Sequence, residues 1–216
     1  MNEKLVPPSM SQCLSKASKE LQAARQRALS NLDITTTEWE YAGRSWSWPG
    51  GEELTYFFDL APEESDIVDN LVSKVGVDLV GVGTGRVVVS LPESVGNMPT
   101  VAKLARYGPS TEMGDGKSQN RREAELWNQI NRHPFLPILE TSSDFHWVIM
   151  PQATIVSEND PDVDTALETV ESALMEHQSV FHFDEIKIEN IGRYDDSYWI
   201  VDYGRPPSEH LSSNFG

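Results

Sequence analysis

Hydrophobic positions along this 216-residue chain repeat with helical spacing in some segments and with strand spacing in others. Residues 11 to 31 start at Ser11, which can cap a helix, and follow this helical spacing, so they predict a first helix with a thin apolar face. That face consists of Leu14, Ala17, Leu21, Ala24 and Ala28. A second, shorter helix is predicted from Pro62 to Lys74, because Ile67, Leu71 and Val75 recur at the spacing of one helical face.

Alternating aromatic residues and valine-rich runs predict strands between and after these helices. Trp39 alternates with Tyr41, and Trp46 with Trp48, before a Pro-Gly-Gly turn, as in half-buried strands. These aromatic side chains either pack against the rest of the domain or line a binding surface. The segments VDLVGVGTGRVVVSLPE and PTVAKLARY predict three short strands, FHWVIMP a buried strand and SYWIVDYG a final strand.

Two further helices are predicted among the later strands. The segment GDGKSQNRREAELWNQINRHP predicts a helix ended by Pro134, and DTALETVESALMEHQ predicts another. Hairpins are therefore mixed with helices, and no internal repeat is present. This order of elements predicts an α+β fold.

The composition is that of a strongly acidic globular protein. Its 34 acidic and 17 basic residues give a formal net charge of −17, which argues against nucleic acid or an anionic membrane as a partner. Only seven residues are lysines, and an acidic, lysine-poor surface is typical of proteins that stay soluble in concentrated salt, so we expect a halophilic origin. The apolar runs are too short to cross a bilayer, and the N-terminus does not resemble a signal peptide. The chain has a single cysteine, Cys13, so we expect a cytoplasmic protein without disulfides.

Three glycines lie between apolar strand residues in VGVGTGRVVV, at Gly81, Gly83 and Gly85. They allow a tight hairpin whose backbone N–H groups can approach a phosphate without interference from a Cβ atom. Many glycine-rich hairpins are only turns, so this segment alone leaves both interpretations open.

A lysine within a predicted strand, Lys103, and a glutamate in the next predicted helix, Glu123, form a candidate ion pair. A strand lysine considered alone is expected to face solvent. Glu123, however, shares the apolar face of its helix with Leu126, Trp127 and Ile130. A carboxylate on a buried face needs a cation, and Lys103 is the candidate.

The segment FHFDEIKIENIGRYDDSYWIVDYG, from Phe181 to Gly204, carries oxygen ligands suited to magnesium. Its isoleucines anchor a loop that presents polar residues up to Asn190, and the last predicted strand, from Tyr198 to Val201, ends at Asp202. An aspartate and an asparagine held near each other suit Mg²⁺, which prefers oxygen ligands. Asp-Tyr-Gly alone is a common strand-to-turn transition, so this interpretation depends on the other segments.

Together, these segments resemble the protein kinase-like fold. That fold has six features in a fixed order along the chain: a glycine-rich hairpin, a strand lysine, a helix glutamate, a hinge strand, a loop ending in Asn and an Asp-Phe-Gly-type turn. Lys103 precedes Glu123 by 20 residues, and Asn190 precedes Asp202 by 12. The resemblance covers about residues 77 to 204. It implies a two-lobed fold with an antiparallel N-lobe sheet plus one helix and a strongly reduced C-lobe.

The resemblance also divides the chain into three parts. Residues 1–60 form an N-terminal helix and a Trp-rich extension, which is a possible site for a protein partner. Residues 61–151 form the N-lobe, and residues 152–216 form a truncated C-lobe with the catalytic loop and Asp-Tyr-Gly. Only RPPSEHLSSNFG follows Gly204, where protein kinases have an activation segment and further helices, so we do not expect peptide docking of the usual kind.

Each matching residue takes an implied role from the resemblance. The nucleotide-binding positions are Gly81, Gly83, Gly85, Lys103, Glu123 and Met150. Lys103 would contact the α- and β-phosphates of ATP, and Met150 belongs to the strand WVIMP, which leads to the hinge that holds adenine. Asn190 and Asp202 would hold Mg²⁺, and Lys187 would neutralise the transferring phosphate.

The catalytic base is left open between two acids. The family's catalytic aspartate lies five residues before the asparagine, where this chain has Glu185. If His182 is the histidine of the family's His-Arg-Asp motif, Asp184 becomes the base, with one inserted residue. We prefer Glu185, because Lys187 and Glu189 then fall in register. The glycine hairpin is also one residue shorter than the family pattern, which predicts a looser cover over the phosphates.

Three functions follow from these observations. The first is an ATP- and magnesium-binding phosphotransferase that acts on a protein or small-molecule hydroxyl, and it is the one we favour. The second is a pseudokinase, a nucleotide-binding or scaffolding module without catalysis. The third is a non-enzymatic α+β protein whose motif matches are accidental.

Overall fold

Helices and antiparallel strands alternate along the chain in an α+β arrangement. The computed structural model describes residues 5–30, 36–41, 44–49, 59–93, 95, 98–108, 114–177 and 187–204. Its α-helices are α1 (Pro8–Ser30), α2 (Pro62–Val75), α3 (Gly116–Ile130) and α4 (Val163–Leu174). Its strands are β1 (Thr36–Tyr41), β2 (Arg44–Pro49), β3 (Asp78–Val82), β4 (Arg86–Ser90), β5 (Thr100–Ala105), β6 (Glu140–Thr141), β7 (Trp147–Pro151), β8 (Thr154–Ile155), β9 (Ile191–Tyr194) and β10 (Ser197–Ile200). Short 3₁₀ turns span Met175–His177 and Ile188–Asn190.

Five strands form an antiparallel sheet in the order β3-β4-β5-β7-β6. The first three follow one another along the chain, whereas β7 lies between β5 and β6 and is reached only after α3. Lys103 in β5 pairs with Val88 of β4 on one side and with Val148 of β7 on the other. The candidate lysine therefore lies on the central strand of the sheet.

The two faces of this sheet are covered by different helices. Side chains alternate across a strand, so Val87 and Val89 belong to one hydrophobic cluster while Val88 packs against a second. The first cluster joins the sheet to α1 and α2, and includes Leu14, Leu21, Val68, Leu71, Leu104 and Trp147. Because full burial of a leucine stabilises a fold by about 1.5–3 kcal/mol, α1 is an integral part of this core.

The second cluster joins the other face of the sheet to the C-terminal part of the chain. Strands β8, β9 and β10 form a small sheet in the order β10-β9-β8, and α4 contacts β9 and β10. The cluster includes Val101, Leu126, Phe135, Met150, Val170 and Tyr203. Ile200 N donates a hydrogen bond to Pro134 O at 2.7 Å, and Leu136 N donates to Ile200 O at 3.0 Å. The end of β10 is thus fixed against the segment that follows α3.

Helix α3, which carries Glu123, has a cap at each end. The Asp115 carboxylate accepts a hydrogen bond from Ser118 N at 3.0 Å, which satisfies one of the free N–H groups of the first turn. Asn131 follows the last turn in the left-handed conformation, with a φ of 50°. These caps fix the length of α3.

Most predicted elements are present with shifted ends. Helix α1 begins at Pro8 rather than after residue 10, and the tryptophan-rich segment forms an antiparallel hairpin of β1 and β2. The predicted final strand ends at Ile200, one residue early. The strand pairing stops there because Val201 O accepts from the Lys103 ammonium and Asn190 N donates to Lys187 O, so these two groups do not bond each other. The short strands β6, β8 and β9 are not among the predicted elements. The three-part division of the chain stays a prediction.

Candidate functional site

Four charged side chains from distant parts of the chain form one network between the five-stranded sheet and α3. Lys103 Nζ donates a hydrogen bond to Glu123 Oε1 at 2.9 Å, and Arg86 Nη1 lies 2.8 Å from Glu123 Oε2. Arg86 Nη2 donates to Asp202 Oδ1, and Lys103 Nζ also donates to the carbonyl oxygen of Val201. The network contains two cations and two carboxylates, so its formal charge is zero.

The strand register explains why two cations share this space. Arg86 is opposite Ala105, and Val88 is opposite Lys103, in the β4–β5 pair. Arg86 and Lys103 are therefore diagonal neighbours on one face of the sheet. Their side chains are only 6% and 8% exposed. Two buried cations this close require carboxylates, which α3 and the turn after β10 supply.

Glu123 connects the two cations to the turn after β10. Its side chain is fully buried on α3, and Glu123 Oε1 also accepts a hydrogen bond from Tyr203 N at 3.1 Å. The Tyr203 hydroxyl in turn donates to Leu136 O at 2.7 Å. The pairing of Lys103 with Glu123 that the helix pattern predicts is present, and it is tied to the backbone of Asp-Tyr-Gly.

The pKa values of the two cations are shifted in opposite directions. Burial, followed by the nearby Arg86, lowers the pKa of Lys103 below its ordinary value, although Glu123 and Asp202 oppose this. Burial would also lower the pKa of Arg86, but Asp202 and Glu123 outweigh it and raise that pKa. Arg86 is therefore the more firmly charged of the two cations.

Asp202 is the most accessible member of the network. Its side chain is 47% exposed, whereas that of Glu123 is buried. Burial would raise the pKa of the Asp202 carboxyl, but Arg86 and then Lys103 lower it to about 2. The carboxylate is therefore ionised at neutral pH. A ligand that approaches from solvent meets Asp202 first.

The glycine-rich turn between β3 and β4 is held closed by hydrogen bonds. Gly83 N donates to Arg86 O at 2.8 Å, Arg106 N donates to Gly85 O at 2.7 Å, and Arg106 Nη1 donates to Gly83 O at 2.6 Å. A Cβ atom on Gly85 would lie 2.5 Å from a backbone oxygen of the loop before α3, whereas one on Gly81 would meet nothing within 4 Å. The turn therefore packs closely against the start of α3 at Gly85.

Arg106 also belongs to a second buried ion network, which joins α1 and α2 to the sheet. Its Nε and Nη2 each donate to Glu64 at 2.8 Å, and Arg25 Nη1 lies 4.0 Å from Glu64 Oε2. Burial, followed by Arg106, lowers the pKa of Arg25 to about 10, although Glu64 opposes this. Because Arg106 contacts both Glu64 and the glycine-rich turn, the position of that turn depends on the docking of α2.

Two further predicted residues lie in the strands and turn beside the network. Met150 is fully buried in β7, where it pairs with Val101 of β5. Asn190 adjoins the network through its backbone oxygen, which accepts a hydrogen bond from Val201 N at 2.9 Å. Asn190 is thus brought close to the residue that precedes Asp202.

The predicted catalytic residues are not among the residues that contact the network in the described structure. Lys187 is exposed, and its Nζ lies 3.8 Å from Glu189 Oε1 on the same short turn. Asp184 and Glu185 lie outside the described residues. The choice between these two acids as the base therefore stays a prediction.

A divalent cation at Asp202 would have to share the carboxylate with Arg86. Magnesium prefers oxygen ligands, but Arg86 Nη2 already donates to Asp202 Oδ1. Two unit charges about 4 Å apart interact by about 4 kcal/mol at an effective dielectric constant of about 20, and a divalent ion doubles that repulsion. As arranged, these residues fit an internal cation better than magnesium. The assignment of Asn190 and Asp202 as magnesium ligands stays a prediction.

Arg86 is the one member of the network that is not among the predicted site residues. It directly follows Gly85, and an arginine at the start of a strand ordinarily extends its charged end into solvent. The available signal is the strand register, because Arg86 shares a face with Lys103 once β4 and β5 are paired. That register depends on contacts between strands, which the local pattern of either strand does not determine.

Comparison with known proteins gives no family for this chain. No protein-family model matches it, and no match was found among the curated proteins. Within the part of the chain that the structure describes, no helix combines the length and apolar character needed to cross a bilayer.

Proposed function

We propose that this chain is a kinase-like module that binds ATP, or a related nucleoside triphosphate, beside Lys103, Glu123 and Asp202. The observation that carries the proposal is the convergence of these residues. Lys103 Nζ joins Glu123 to the carbonyl oxygen of Val201, which lies 98 positions further along the chain. The resemblance assigns these positions to one nucleotide site. If the motif matches were accidental, there would be no reason to expect these residues to lie together in the fold.

The order of elements supports the same proposal. A glycine-rich turn, a central strand with a lysine and a helix with a buried glutamate precede β7, the strand predicted to lead to the hinge. The turn at Ile188–Asn190, the β9–β10 hairpin and Asp202 follow in the order that the resemblance implies. The kinase-like fold is part of the proposal.

Lys103 and Arg86 supply positive charge for a triphosphate. Ammonium and guanidinium groups bind phosphate oxygens through charge-assisted hydrogen bonds, and the planar guanidinium can make two at once. Both cations already contact carboxylates, so a nucleotide competes with the half-exposed Asp202 for them. We expect modest affinity, because binding replaces existing ion pairs rather than neutralising unpaired charges.

Transfer of the γ-phosphate to a hydroxyl is the enzymatic part of the proposal. The acceptor would be a protein or a small molecule, and the base would be Glu185, with Asp184 as the alternative. General-base catalysis requires the acid to lie within hydrogen-bond reach of the acceptor hydroxyl. Lys187 would contribute positive charge near the transferring group.

A pseudokinase is the second candidate, and Arg86 is the observation that favours it. The network of Arg86, Lys103, Glu123 and Asp202 is neutral and internally paired without a ligand. Such a network can stabilise a scaffold as readily as it can serve catalysis. In this version the fold binds a nucleotide, or only a partner, without transferring phosphate.

A thermal-shift titration tests nucleotide binding. We expect millimolar ATP to raise the melting temperature of the wild type in molar KCl, because a ligand that binds only the folded state stabilises it. Lys103→Met should remove the shift, and Lys74→Met, which changes an exposed lysine of α2, should retain it. The absence of any shift in the wild type, with and without magnesium, would count against the proposal.

A phosphotransfer assay separates the enzyme from the pseudokinase. Radiolabelled ATP is incubated with the protein and with lysate fractions in molar KCl. If the protein is a phosphotransferase, the label appears on the protein itself or on an acceptor. Lys103→Met and Asp202→Asn should then abolish this labelling. Equal background in the wild type and both variants, in a protein that binds ATP, supports the pseudokinase.

A further inference from the structure

Arg86 is a fixed part of the network rather than a surface side chain. Its side chain is 6% exposed, which leaves little room for alternative rotamers. Its carbonyl oxygen accepts a hydrogen bond from Gly83 N at 2.8 Å, and the residue pairs with Ala105 across β4 and β5. The guanidinium is therefore directed toward the same two acids by a paired strand on one side and a closed turn on the other.

The contacts of Arg86 are those of a cation shared between two acids. Nη1 lies 2.8 Å from Glu123 Oε2, and Nη2 donates to Asp202 Oδ1. In phosphoryl-transfer sites a divalent ion has a comparable task, since it connects protein carboxylates to phosphate oxygens. A guanidinium can do the same, because its five N–H donors form a planar fork that matches both carboxylate and phosphate.

We propose that Arg86 takes the place of the divalent metal ion, so that this chain binds ATP in its metal-free form. This inference rests on the proposed nucleotide function. On binding, Arg86 Nη2 passes from Asp202 to a phosphate oxygen, while Glu123 keeps Arg86 and Lys103 in position. Magnesium in solution then competes with the protein, because it neutralises the phosphates and occupies the oxygens that the two side chains would contact.

Isothermal titration calorimetry of the full chain with ATP in molar KCl tests the inference. One titration contains EDTA and the other an excess of MgCl₂. We expect binding in EDTA and an affinity weaker by about tenfold or more in magnesium. Equal or stronger binding in magnesium, or binding seen only there, overturns the inference and leaves the proposed function standing. No binding in either buffer overturns both.

Two variants separate this role from a purely structural one. Asp202→Asn removes the carboxylate that competes for Arg86, so we expect the affinity for ATP in EDTA to rise about tenfold. Arg86→Gln should lose binding in EDTA, whereas Arg132→Gln, which changes an exposed arginine, should behave like the wild type. If Arg86→Gln does not fold, Asp202→Asn still decides, because an affinity in EDTA equal to or below the wild-type value overturns the inference.

Discussion

Glu123 neutralises two buried cations at once, and its removal would leave them with one partly exposed acid. Both carboxylate oxygens lie within 3 Å of Lys103 or Arg86. Breaking a buried ion pair by removing one partner typically costs about 3–5 kcal/mol, because the remaining charge stays buried. We therefore expect Glu123→Gln to lower the free energy of unfolding by at least about 3 kcal/mol, as measured by urea denaturation in molar KCl.

Glu125 provides the matched control on the same helix. It is exposed, two positions along α3, and surface substitutions usually change stability by less than about 0.5 kcal/mol. Glu125→Gln should therefore unfold at nearly the wild-type urea concentration. Equal stability of the two variants would show that the ion network contributes little to the fold.

Asp202 predicts a specific pH dependence. Its pKa is lowered from 3.8 to about 2, by Arg86 and Lys103 acting against burial. Because the folded-state pKa lies below the unfolded-state value, the stabilisation is present above about pH 4 and is lost as the pH falls toward about 2. The carboxylate is 47% exposed, so after allowance for solvent screening we expect about 1 kcal/mol.

Acid titration of Asp202→Asn measures this contribution. Urea denaturation of the wild type and the variant is compared at several pH values between about 5 and 2, within the window set by the two pKa values. The stability difference between them should shrink as the pH falls. A difference that stays constant over that range would mean that Asp202 is not paired in the folded state.

At the scale of single residues, the sequence predicts the pairing of Lys103 with Glu123 but not the ion pairs of Arg86 and Glu64. Glu123 is identifiable because helical spacing puts it among apolar residues, where a carboxylate requires a cation. Arg86 and Glu64 carry no such signal, since Arg86 begins β4 directly after Gly85 and Glu64 lies in the first turn of α2 between two polar residues. Their burial follows from which strands and helices meet, and local periodicity does not specify that.

Among the elements, long periodic segments were predictable and very short ones were not. Strands β6 and β8 have two residues each, too few for an alternating pattern. The β9–β10 hairpin does carry a turn signal in its sequence: Asp195 and Asp196 connect the strands and have φ values of 49° and 56°. Consecutive left-handed residues are characteristic of the tight type I′ turn, for which aspartate is a favoured residue.

The close packing of the glycine-rich turn gives a prediction at the scale of elements. A Cβ atom on Gly85 would lie 2.5 Å from Gly114 O and 2.6 Å from Gln119 Oε1. The backbone oxygen cannot move without displacing the start of α3. We expect Gly85→Ala to destabilise the protein by about 1–3 kcal/mol, the usual cost of overpacking, in thermal or urea unfolding.

Gly81→Ala is the matched control, because a Cβ atom there would have nothing within 4 Å. Its stability should stay within about 0.5 kcal/mol of the wild type. If Gly81→Ala and Gly85→Ala unfold alike, the turn does not pack against α3. If the turn does not contact the helix, it also does not fix the position of Arg86, which directly follows Gly85.

For the whole molecule, the negative charge lies outside the described core. Among the Lys, Arg, Asp and Glu side chains buried in the described residues, four are cations and two are acids. They are Arg25, Arg86, Lys103, Arg106, Glu64 and Glu123. Because the chain as a whole carries a net charge of −17, the acids outside this buried set outnumber the remaining cations, and like charges at the surface repel one another through solvent.

Screening of this repulsion predicts that salt stabilises the protein. The Debye length falls from about 10 Å at 0.1 M salt to about 3 Å at 1 M, so surface repulsion weakens over this range. We expect the melting temperature to rise continuously with KCl from about 0.1 to about 2 M. Betaine at equal osmolality, which does not screen charge, should give a smaller rise. A melting temperature that is constant or falls with KCl would contradict this.

The central claim is that a nucleoside triphosphate binds where Lys103, Glu123 and Asp202 meet. The most direct test is an ATP titration of the ¹⁵N-labelled protein in molar KCl, followed by two-dimensional NMR. We predict that the backbone amide signals of Gly81, Gly85 and Val201–Gly204 shift together and saturate, while those of α1 stay in place. A saturating titration whose shifts lie elsewhere, or the absence of any shift at millimolar ATP, would contradict the claim.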